Sequence, residues 1–500
     1  MPFAPAPPSA QIEAAGAALP RRARGSAGDS TRFAGVLRAA GLLGLLGVLV
    51  TTFLTAAGAA GEPSQYVPSR SGGWIGWLAG PYEGLGLRMG SGAFQLYSLI
   101  MLASYLLVLV AARRLSLRAI AATILVAHAI LLLGPPLLSQ DVFGYVGFAR
   151  LGALHGLDPY THVAAQASSD EVFAFLGWPY QHSPYGPLFT LVSYAFVPLG
   201  VAGGLWAFKA LTVLCSLGAV ALVARAAGRM GQSRRFAAAF VGLNPVLLVL
   251  AVGGAHNDTL ILLALAAALA LTAAPATGRY GSAAGALVAG VGVKVTAGLA
   301  LPFMLLGAPR RSDRRLTLQG ALLGLAALGA VALIAFGSHA LGFLSAVGEQ
   351  QRLVAVHSIP AETARLFGLN GTPDWWRNVF AGLFVAVLLL ALWRTARRGA
   401  DWRVATGWTT LALLCSTAWL LPWYAIWALP LAAVRGDRRL RAATLLFCAY
   451  ALLIHLPLAE GLLTPPKPVS HGRVRTIVHR DRIDLSRFQV SHDALLDLRR

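Results

Sequence analysis

Long apolar runs, separated by short basic connectors, most strongly limit what this chain can fold into. Runs of about 18 or more apolar residues recur along most of the sequence, and a helix of that length spans a bilayer. Hydrophobic residues make up 57% of the chain and charged residues only 12%. A transmembrane β-barrel would need alternating segments of about ten residues, which are absent from the sequence. We therefore predict an all-α polytopic membrane protein with about eleven to thirteen transmembrane helices.

The basic residues predict the orientation of these helices. The chain has 41 Lys and Arg against 20 Asp and Glu, a net charge of +21. In a soluble protein this would suggest a nucleic-acid partner. Here the basic residues cluster in short connectors, as in cytoplasmic loops, so we predict a multi-pass plasma-membrane protein without nucleic acid. Arg113, Arg114 and Arg118 precede the third apolar run, about 119–138, so the polar segment after it is predicted to be extracytoplasmic.

Composition divides the chain into three parts. Residues 1–31 are rich in Ala, Pro, Gly, Ser and Arg, which predicts a disordered cytoplasmic tail. Residues 32–462 contain the apolar runs and form the predicted transmembrane domain with its extracytoplasmic loops. Residues 463–500 form a basic C-terminal tail. Polar interruptions near Lys294 and at Leu421-Pro-Trp-Tyr424 predict two broken helices inside the domain.

Asp141 is the most conspicuous of the few carboxylates. It lies where the third apolar run ends, and an ionisable residue at a membrane boundary is a functional candidate by default. Among the carboxylates predicted to face outward, only Asp141 and Asp258 lie at the mouths of apolar runs inside polar clusters. A purely structural alternative is that Asp141 caps a short helix within an interfacial aromatic belt.

The segment after Asp141, up to about Gly186, combines aromatic with hydrogen-bonding side chains. The candidates in it are Tyr145, Arg150, Tyr160, His182 and Tyr185. Aromatic faces beside hydrogen-bonding groups suit a sugar ring, which presents both CH faces and hydroxyls. An interfacial aromatic belt would have the same composition.

Further candidates interrupt later apolar runs. His256, Asn257 and Asp258 meet one membrane boundary, where three polar residues are costly to place, although they could form a polar cap between helices. Lys294 could serve the site or extend its side chain to the cytoplasmic surface. Trp423 and Tyr424 could form an aromatic wall or merely accompany a helix break.

Seven short motifs occur in one order along about 35–460. They are Asp141-Val-Phe-Gly-Tyr145, Gly156-Leu-Asp-Pro-Tyr160, Ser183-Pro-Tyr-Gly-Pro-Leu188, Asn244-Pro245, Gly254-Ala-His-Asn-Asp258, Val293-Lys-Val295 and Leu421-Pro-Trp-Tyr424. In this order the set resembles the actinobacterial polyprenol-phosphomannose-dependent α-(1→6)-mannosyltransferases, which have a GT-C architecture. The chain departs from many of these relatives at Asp158, where they have Asn.

The resemblance implies an enzyme that transfers mannose from polyprenyl-phosphate-mannose to an extracytoplasmic glycan or glycolipid, forming α-(1→6) linkages. Asp141 would be the general base of an inverting transfer, which needs one base and no covalent intermediate. Arg150, Lys294 and His256 would be candidates to stabilise the leaving phosphate. The other candidates would contact the substrates: Tyr145, Tyr160, His182, Tyr185, Asn257, Asp258, Trp423 and Tyr424.

Three alternatives remain open at this point. The transferred sugar could be another lipid-linked one, such as arabinofuranose. A transporter or flippase of lipid-linked sugars is the alternative from a different class, because transporters often contain paired broken helices. The sequence has no metal-ligand signature, yet an Asp at such a site could hold a divalent metal instead of acting as a base, so the cofactor is unknown.

Overall fold

The computed structural model describes residues 26–61, 64, 66–67, 76–274, 278–459, 463 and 488–489. Within these residues the regular structure is helical, apart from one antiparallel pair of two-residue strands, β1 (Val354–Ala355) and β2 (Phe488–Gln489). Most of the two predicted terminal tails, 1–31 and 463–500, lies outside the described residues.

The described helices follow one another with short connections. They are α1 Ser26–Ala59, α2 Gly76–Ala79, α3 Ser91–Ala111, α4 Leu117–Leu133, α5 Asp141–Ala153, α6 Pro187–Tyr194, α7 Gly200–Arg229, α8 Arg234–Gly242, α9 Asp258–Leu271, α10 Tyr280–Val291, α11 Ala300–Leu306, α12 Arg311–Phe336, α13 Gly342–Gln350, α14 Ile359–Leu366, α15 Asp374–Arg398, α16 Trp402–Ser416, α17 Leu429–Val434 and α18 Arg438–Leu453. Shorter 3-10 segments precede α11 and α17, at Val295–Leu299 and Pro422–Ala428, and a π-helical segment, Val246–Val252, follows α8.

Five of the described helical stretches are long and apolar enough to cross a membrane, or six if one bent pair counts as a span. The five are Ala34–Ala59, Ser91–Ala111, Pro187–Arg229, Arg311–His339 and Asp374–Arg398. Five further apolar helices are shorter than a full span: Leu117–Leu133, Asp258–Leu271, Tyr280–Val291, Val295–Leu306 and Pro422–Val434. The predicted all-α polytopic membrane protein is thereby confirmed, while the predicted number of helices stays a prediction.

Glycines let some of these helices pack closely. Helix α10 packs along α12, and a Cβ added at Gly320 would come within 2.2 Å of the Gly281 carbonyl oxygen. Small residues at such crossings are typical of helices packed inside a bilayer, where close backbone approach replaces the hydrophobic driving force. Most of α12 and α15 is exposed, as expected of helices that face lipid.

The predicted helix breaks are present, and each has a local cause. Gly292, Val293 and Lys294 interrupt the run between α10 and the 3-10 segment at Val295–Leu299. The run after α16 is interrupted before Pro422, which lacks the backbone N–H that a continuing helix would need. A third break lies at Asn244-Pro245, where α8 and Val246–Val252 meet at 44°. These breaks bring non-helical backbone to the interior of the protein.

The boundaries around Asp141 differ from the prediction. The third apolar run was expected to continue to about residue 138 and to lead into a loop. Instead α4 ends at Leu133, because Gly134, Pro135 and Pro136 cannot continue a helix. Asp141 is therefore the first residue of a separate helix, α5, and the polar loop follows α5.

Candidate active site

A cavity of about 490 Å³ lies where several helix ends and breaks converge. Its walls come from the start of α5, the loop before α6, the segment at 350–357, the break before Pro422 and the end of α18. Six of the candidates predicted from sequence line it: Asp141, His182, Tyr185, Lys294, Trp423 and Tyr424. The cavity thus unites residues of four separate motifs, those that contain Asp141, Tyr185, Lys294 and Tyr424.

Asp141 presents its carboxylate to this cavity from the N-terminus of α5. Its backbone N–H donates to Ser139 Oγ at 3.1 Å, and its side chain is 16% exposed. A helix N-terminus stabilises negative charge through the unpaired backbone N–H groups and the helix dipole. Among the described residues that line the cavity, Asp141 is the only one with a carboxylate.

His256 and Asn257 lie directly behind Asp141. His256 is fully buried, its Nδ1 is 3.4 Å from Asp141 Oδ2, and its ring stacks on Trp423 with centroids 3.6 Å apart. The side-chain polar atoms of His256 and Asn257 make no hydrogen bond to any described residue. A buried polar group without a partner costs about 1–3 kcal/mol, so the fold retains these groups against their effect on stability.

Asp258 has two side-chain partners, of which Lys294 lines the cavity. Lys294 Nζ donates to its two oxygens at 3.1 and 3.2 Å, and Trp427 Nε1 donates to Oδ1 at 2.9 Å. The Lys294 ammonium also lies over the Tyr424 ring, 4.5 Å from its centroid. Asp258 is 1% exposed, so its charge serves to hold Lys294 in the cavity wall. Of the two carboxylates singled out from sequence, Asp141 is the accessible one.

Tyr145 connects α5 to the His256–Asp258 turn from behind the wall. Its hydroxyl accepts from the Asn257 N–H at 3.3 Å, and its ring packs edge-on against Tyr185 at 5.0 Å. It is fully buried and does not line the cavity. Its contacts fix the positions of neighbouring site residues.

Arg150 and Tyr160 are not brought to the cavity. Arg150 Nε donates to both oxygens of Asp170 at 2.8 and 3.0 Å, and His155 Nε2 lies 2.7 Å from the same carboxylate. Burial by itself would raise the pKa of Asp170, but the bonds from Arg150, the Val172 N–H and His155 outweigh it and lower that pKa. These contacts secure the loop after α5.

Tyr160 plays a similar part at the far end of that loop. Its hydroxyl is 3.0 Å from the Tyr185 carbonyl oxygen and 3.0 Å from Thr190 Oγ1, and burial raises its pKa. Its N–H donates to Asp158 Oδ1 at 2.8 Å. Tyr160 therefore anchors the loop to α6.

Two residues that flank the site have backbone conformations that L-amino acids rarely adopt. Leu138 has φ +64° and Ala255 has φ +56°, and they are the only non-glycine residues with positive φ in the described part of the chain. The two connectors also touch, because the Leu137 N–H donates to the Gly253 carbonyl at 2.9 Å. Backbone strain of this kind clusters at functional sites, where the surrounding fold enforces it.

Several cavity residues were missed by the sequence reasoning. Trp178 and Trp419 line the wall edge to face, 5.7 Å between centroids, and His357 lines it from the segment that precedes α14. Trp178 and Trp419 lie close in sequence to the motifs at Ser183–Leu188 and Leu421–Tyr424, and this proximity could have identified them. No sequence signal marks His357, because its position depends on the folding of a loop.

Metal-ligand geometry is not found in the described residues: no three His, Cys, Asp or Glu side chains come together as a metal-binding group. Among the described Lys, Arg and His residues, His256 is the one with a side-chain nitrogen within 4 Å of the Asp141 carboxylate. The cavity therefore offers a carboxylate, a lysine, histidines and aromatic faces.

In a membrane protein, a cavity with aromatic walls and one carboxylate among its described lining residues is the arrangement expected of a glycosyltransferase. A family model described as "Alpha-(1->6)-mannopyranosyltransferase, N-terminal domain" matches residues 38–310, and one described as "MptB C-terminal domain" matches 367–478. The chain belongs to the alpha-(1->6)-mannopyranosyltransferase family. The predicted family and the predicted enzyme class, a glycosyltransferase, are confirmed.

Individual relatives agree with this assignment. Alpha-(1->6)-mannopyranosyltransferase A of Mycobacterium tuberculosis is 30% identical over 364 residues, 67% of this chain and 69% of the relative. The protein of the same name from Corynebacterium glutamicum is 27% identical over 180 residues, 35% of this chain and 36% of the relative. No solved structure matches the chain.

Proposed function

We propose that this protein transfers mannose from polyprenyl-phosphate-mannose to an extracytoplasmic glycan or glycolipid, with inversion and formation of an α-(1→6) linkage. The names of its relatives support the sugar and the linkage. The basic connectors support a plasma-membrane orientation with the cavity on the outer side.

The observation that carries the proposal is that the cavity has one accessible carboxylate, Asp141, facing aromatic walls. An inverting transfer needs one base. Asp141 takes the proton of the acceptor hydroxyl as that oxygen attacks the anomeric carbon. The bond between the anomeric carbon and the phosphate oxygen breaks on the opposite face, and its electron pair stays with the polyprenyl phosphate.

Lys294 supplies positive charge for the departing phosphate. Its ammonium lies in the wall near Tyr424 and is held there by Asp258. A fixed cation stabilises the charge that develops on the leaving oxygen, and a water-poor site strengthens that interaction. Because Asp258 is already bonded to Lys294 and Trp427, it does not compete with Asp141 for the acceptor proton.

Apolar residues at one side of the cavity support a lipid-linked donor. Leu420 and Leu421, in the break before Pro422, and Ile454 and Pro457, at the end of α18, line this part. An isoprenoid chain buries apolar surface there, at about 25 cal/mol per Å² removed from water. Its phosphate then lies between this apolar side and the polar groups.

The experiment incubates the solubilised full chain with radiolabelled polyprenyl-phosphomannose and an oligomannoside acceptor. Asp141→Asn should reduce transfer about 10²- to 10⁴-fold, the usual contribution of a general base. Asp374→Asn is the matched control, because Asp374 is 83% exposed at the start of α15 and does not line the cavity. Equal transfer by wild type and Asp141→Asn would exclude Asp141 as the base.

The side of the membrane on which the cavity opens and the choice between enzyme and flippase need separate measurements. An accessibility tag at residue 165 should react from outside the cell, and a cytoplasmic tag would contradict the proposed side. Movement of the donor between leaflets without any transfer would identify a flippase and overturn the proposed enzyme activity.

A further inference from the structure

His357 lines the cavity as one member of a side-chain network that has no part in the mechanism above. Its Nδ1 lies 2.6 Å from Glu362 Oε1, and the same carboxylate oxygen is 2.6 Å from the Arg365 guanidinium. The three side chains are 17%, 16% and 10% exposed in the order His357, Glu362, Arg365. The imidazole is therefore largely withdrawn from solvent, with one nitrogen committed to a carboxylate.

The backbone around His357 is also held from several sides. The Tyr450 hydroxyl donates to the His357 carbonyl oxygen at 2.5 Å, and Arg365 donates to the Val356 carbonyl oxygen at 2.7 Å. The next residue, Ser358, caps α14 by accepting from the Ala361 N–H. A segment fixed by α14 and α18 positions the imidazole without help from a ligand.

The ring nitrogen that remains for a ligand is Nε2. Nδ1 is occupied by Glu362, and Nε2 makes no hydrogen bond to any residue in the described part of the chain. A carboxylate on one nitrogen selects the tautomer of the ring and stabilises the imidazolium when the other nitrogen is protonated. This is the arrangement by which a histidine is prepared to exchange a proton at Nε2.

The position of His357 indicates which part of the substrate it meets. Tyr450, which bonds its carbonyl, lies on α18 one turn before Ile454, and Ile454 and Pro457, which follow α18, are apolar residues of the cavity wall. The phosphate of a lipid-linked sugar must lie where the apolar chain ends. Because Tyr450 holds its backbone beside these apolar residues, we infer that His357 lies close to that phosphate.

We propose that His357, positioned by Glu362, is a catalytic residue that gives a proton to the leaving polyprenyl phosphate. This role rests on the proposed function. The donor is a phosphodiester with one negative charge, and loss of the sugar would leave a phosphomonoester with two. As the bond from the anomeric carbon to the phosphate oxygen breaks, the Nε2 proton moves to the phosphate, so Asp141 ends protonated, His357 neutral and the phosphate singly charged.

Neither of the two family models covers His357 or Glu362, because both residues lie between the matched regions, 38–310 and 367–478. Among the described residues, the titratable groups in contact with His357 or with its carboxylate partner are Glu362, Arg365 and Tyr450, and His455 and Lys294 line the same cavity. Glu362 and Arg365 carry opposite charges, so a protonated His357 adds a positive charge to the cavity wall, as an anionic phosphate requires.

The test measures kcat for mannosyl transfer against pH in wild type, His357→Gln and Glu362→Gln. A general acid must be protonated, so the wild-type kcat should fall on the alkaline side, and His357→Gln should remove that fall while lowering kcat about 10- to 100-fold near neutral pH. Glu362→Gln should keep the fall and lower kcat, because the imidazole then loses the carboxylate that holds its orientation. The acceptor KM should change less than kcat in both variants.

A second measurement does not depend on turnover. Farnesyl phosphate, used as the probe, should inhibit the wild type more strongly at pH 6 than at pH 8.5, and His357→Gln should lose this difference. His162→Gln is the matched control, since His162 bonds Thr161 in the outer loop and does not line the cavity. It should behave like the wild type in both assays.

The results that would contradict the role of His357 differ from those that would contradict the proposed function. Transfer by the wild type with an unchanged pH profile in His357→Gln overturns the role of His357 and leaves the proposed function standing. Absence of transfer from polyprenyl-phosphomannose by the wild type overturns the proposed function, and this role of His357 with it. If His357→Gln does not fold, Glu362→Gln decides the matter, because a kcat equal to that of the wild type in that variant contradicts the proposal.

Discussion

Nδ1 of His256 lies 3.4 Å from Oδ2 of Asp141, although one residue begins α5 and the other lies in the turn before α9. The imidazole is fully buried and stacks on Trp423, so it cannot turn away from the carboxylate without displacing that indole. It limits the positions that Asp141 can take on the cavity wall.

The first prediction concerns this pair. His256→Gln should lower kcat about tenfold or more while the protein stays folded, because the carboxylate loses its neighbour but no existing hydrogen bond is broken. His128→Leu is an informative comparison: both ring nitrogens of His128 are bonded, to the Ile124 carbonyl and to Ser216 Oγ, each at 2.8 Å. That variant should lose stability, about 1–3 kcal/mol, and little specific activity. Thermal unfolding and transfer assays check both, and a destabilised but fully active His256→Gln would contradict the prediction.

The second prediction concerns the buried pair of Asp258 and Lys294. Lys294→Met leaves the Asp258 charge without its cation, and such a loss typically destabilises by about 3–5 kcal/mol. Adding Asp258→Asn should restore much of the stability, because both charges are then gone, but not the activity. A double-mutant cycle of unfolding free energies, run beside transfer assays, measures this. Full activity in the double variant would show that Lys294 serves packing alone.

The third prediction concerns acid sensitivity of the loop after α5. The folded-state pKa of Asp170 is lowered, so its contribution to stability is present above its unfolded value, near 3.9, and is lost as the pH falls through the folded value. Hydrogen exchange in residues 154–186 should therefore quicken below about pH 4. In Asp170→Asn this region should exchange faster already at neutral pH and lose the acid dependence. Equal protection in the variant and the wild type at pH 7 would refute this account of the loop.

The fourth prediction concerns the strained backbone before His256. Ala255 has φ +56°, which glycine adopts without penalty, so Ala255→Gly should raise stability by up to about 1 kcal/mol. Ala327→Gly is the matched control, because Ala327 is exposed in the interior of α12 and the same change there should lower stability by about 0.5–1 kcal/mol. Melting temperatures of the two variants should move in opposite directions. A decrease in the melting temperature of both variants would mean that packing of the Ala255 side chain outweighs any backbone strain.

Much of the fold could be predicted because hydropathy and helix-breaking residues act locally. The apolar runs led to the spanning helices, and the breaks near Lys294 and Pro422 are present. The end of the third run was predicted too late because the Gly134-Pro135-Pro136 sequence was outweighed by the apolar residues around it. Six of the predicted site residues line the cavity, while Arg150 and Tyr160 bond to residues of the loop after α5.

By itself, the sequence determined that the chain is helical, membrane-embedded and equipped with few carboxylates, because burial in lipid and helix propensity depend on short stretches of residues. Only the tertiary structure decided which carboxylate is accessible, that His256 lies behind Asp141, and that Glu362 holds His357 at the cavity. The physical reason is that these contacts join segments far apart in the chain, and no periodic pattern in the sequence indicates that such segments meet. They arise where helix breaks from α5, α9 and the segment before α17 meet.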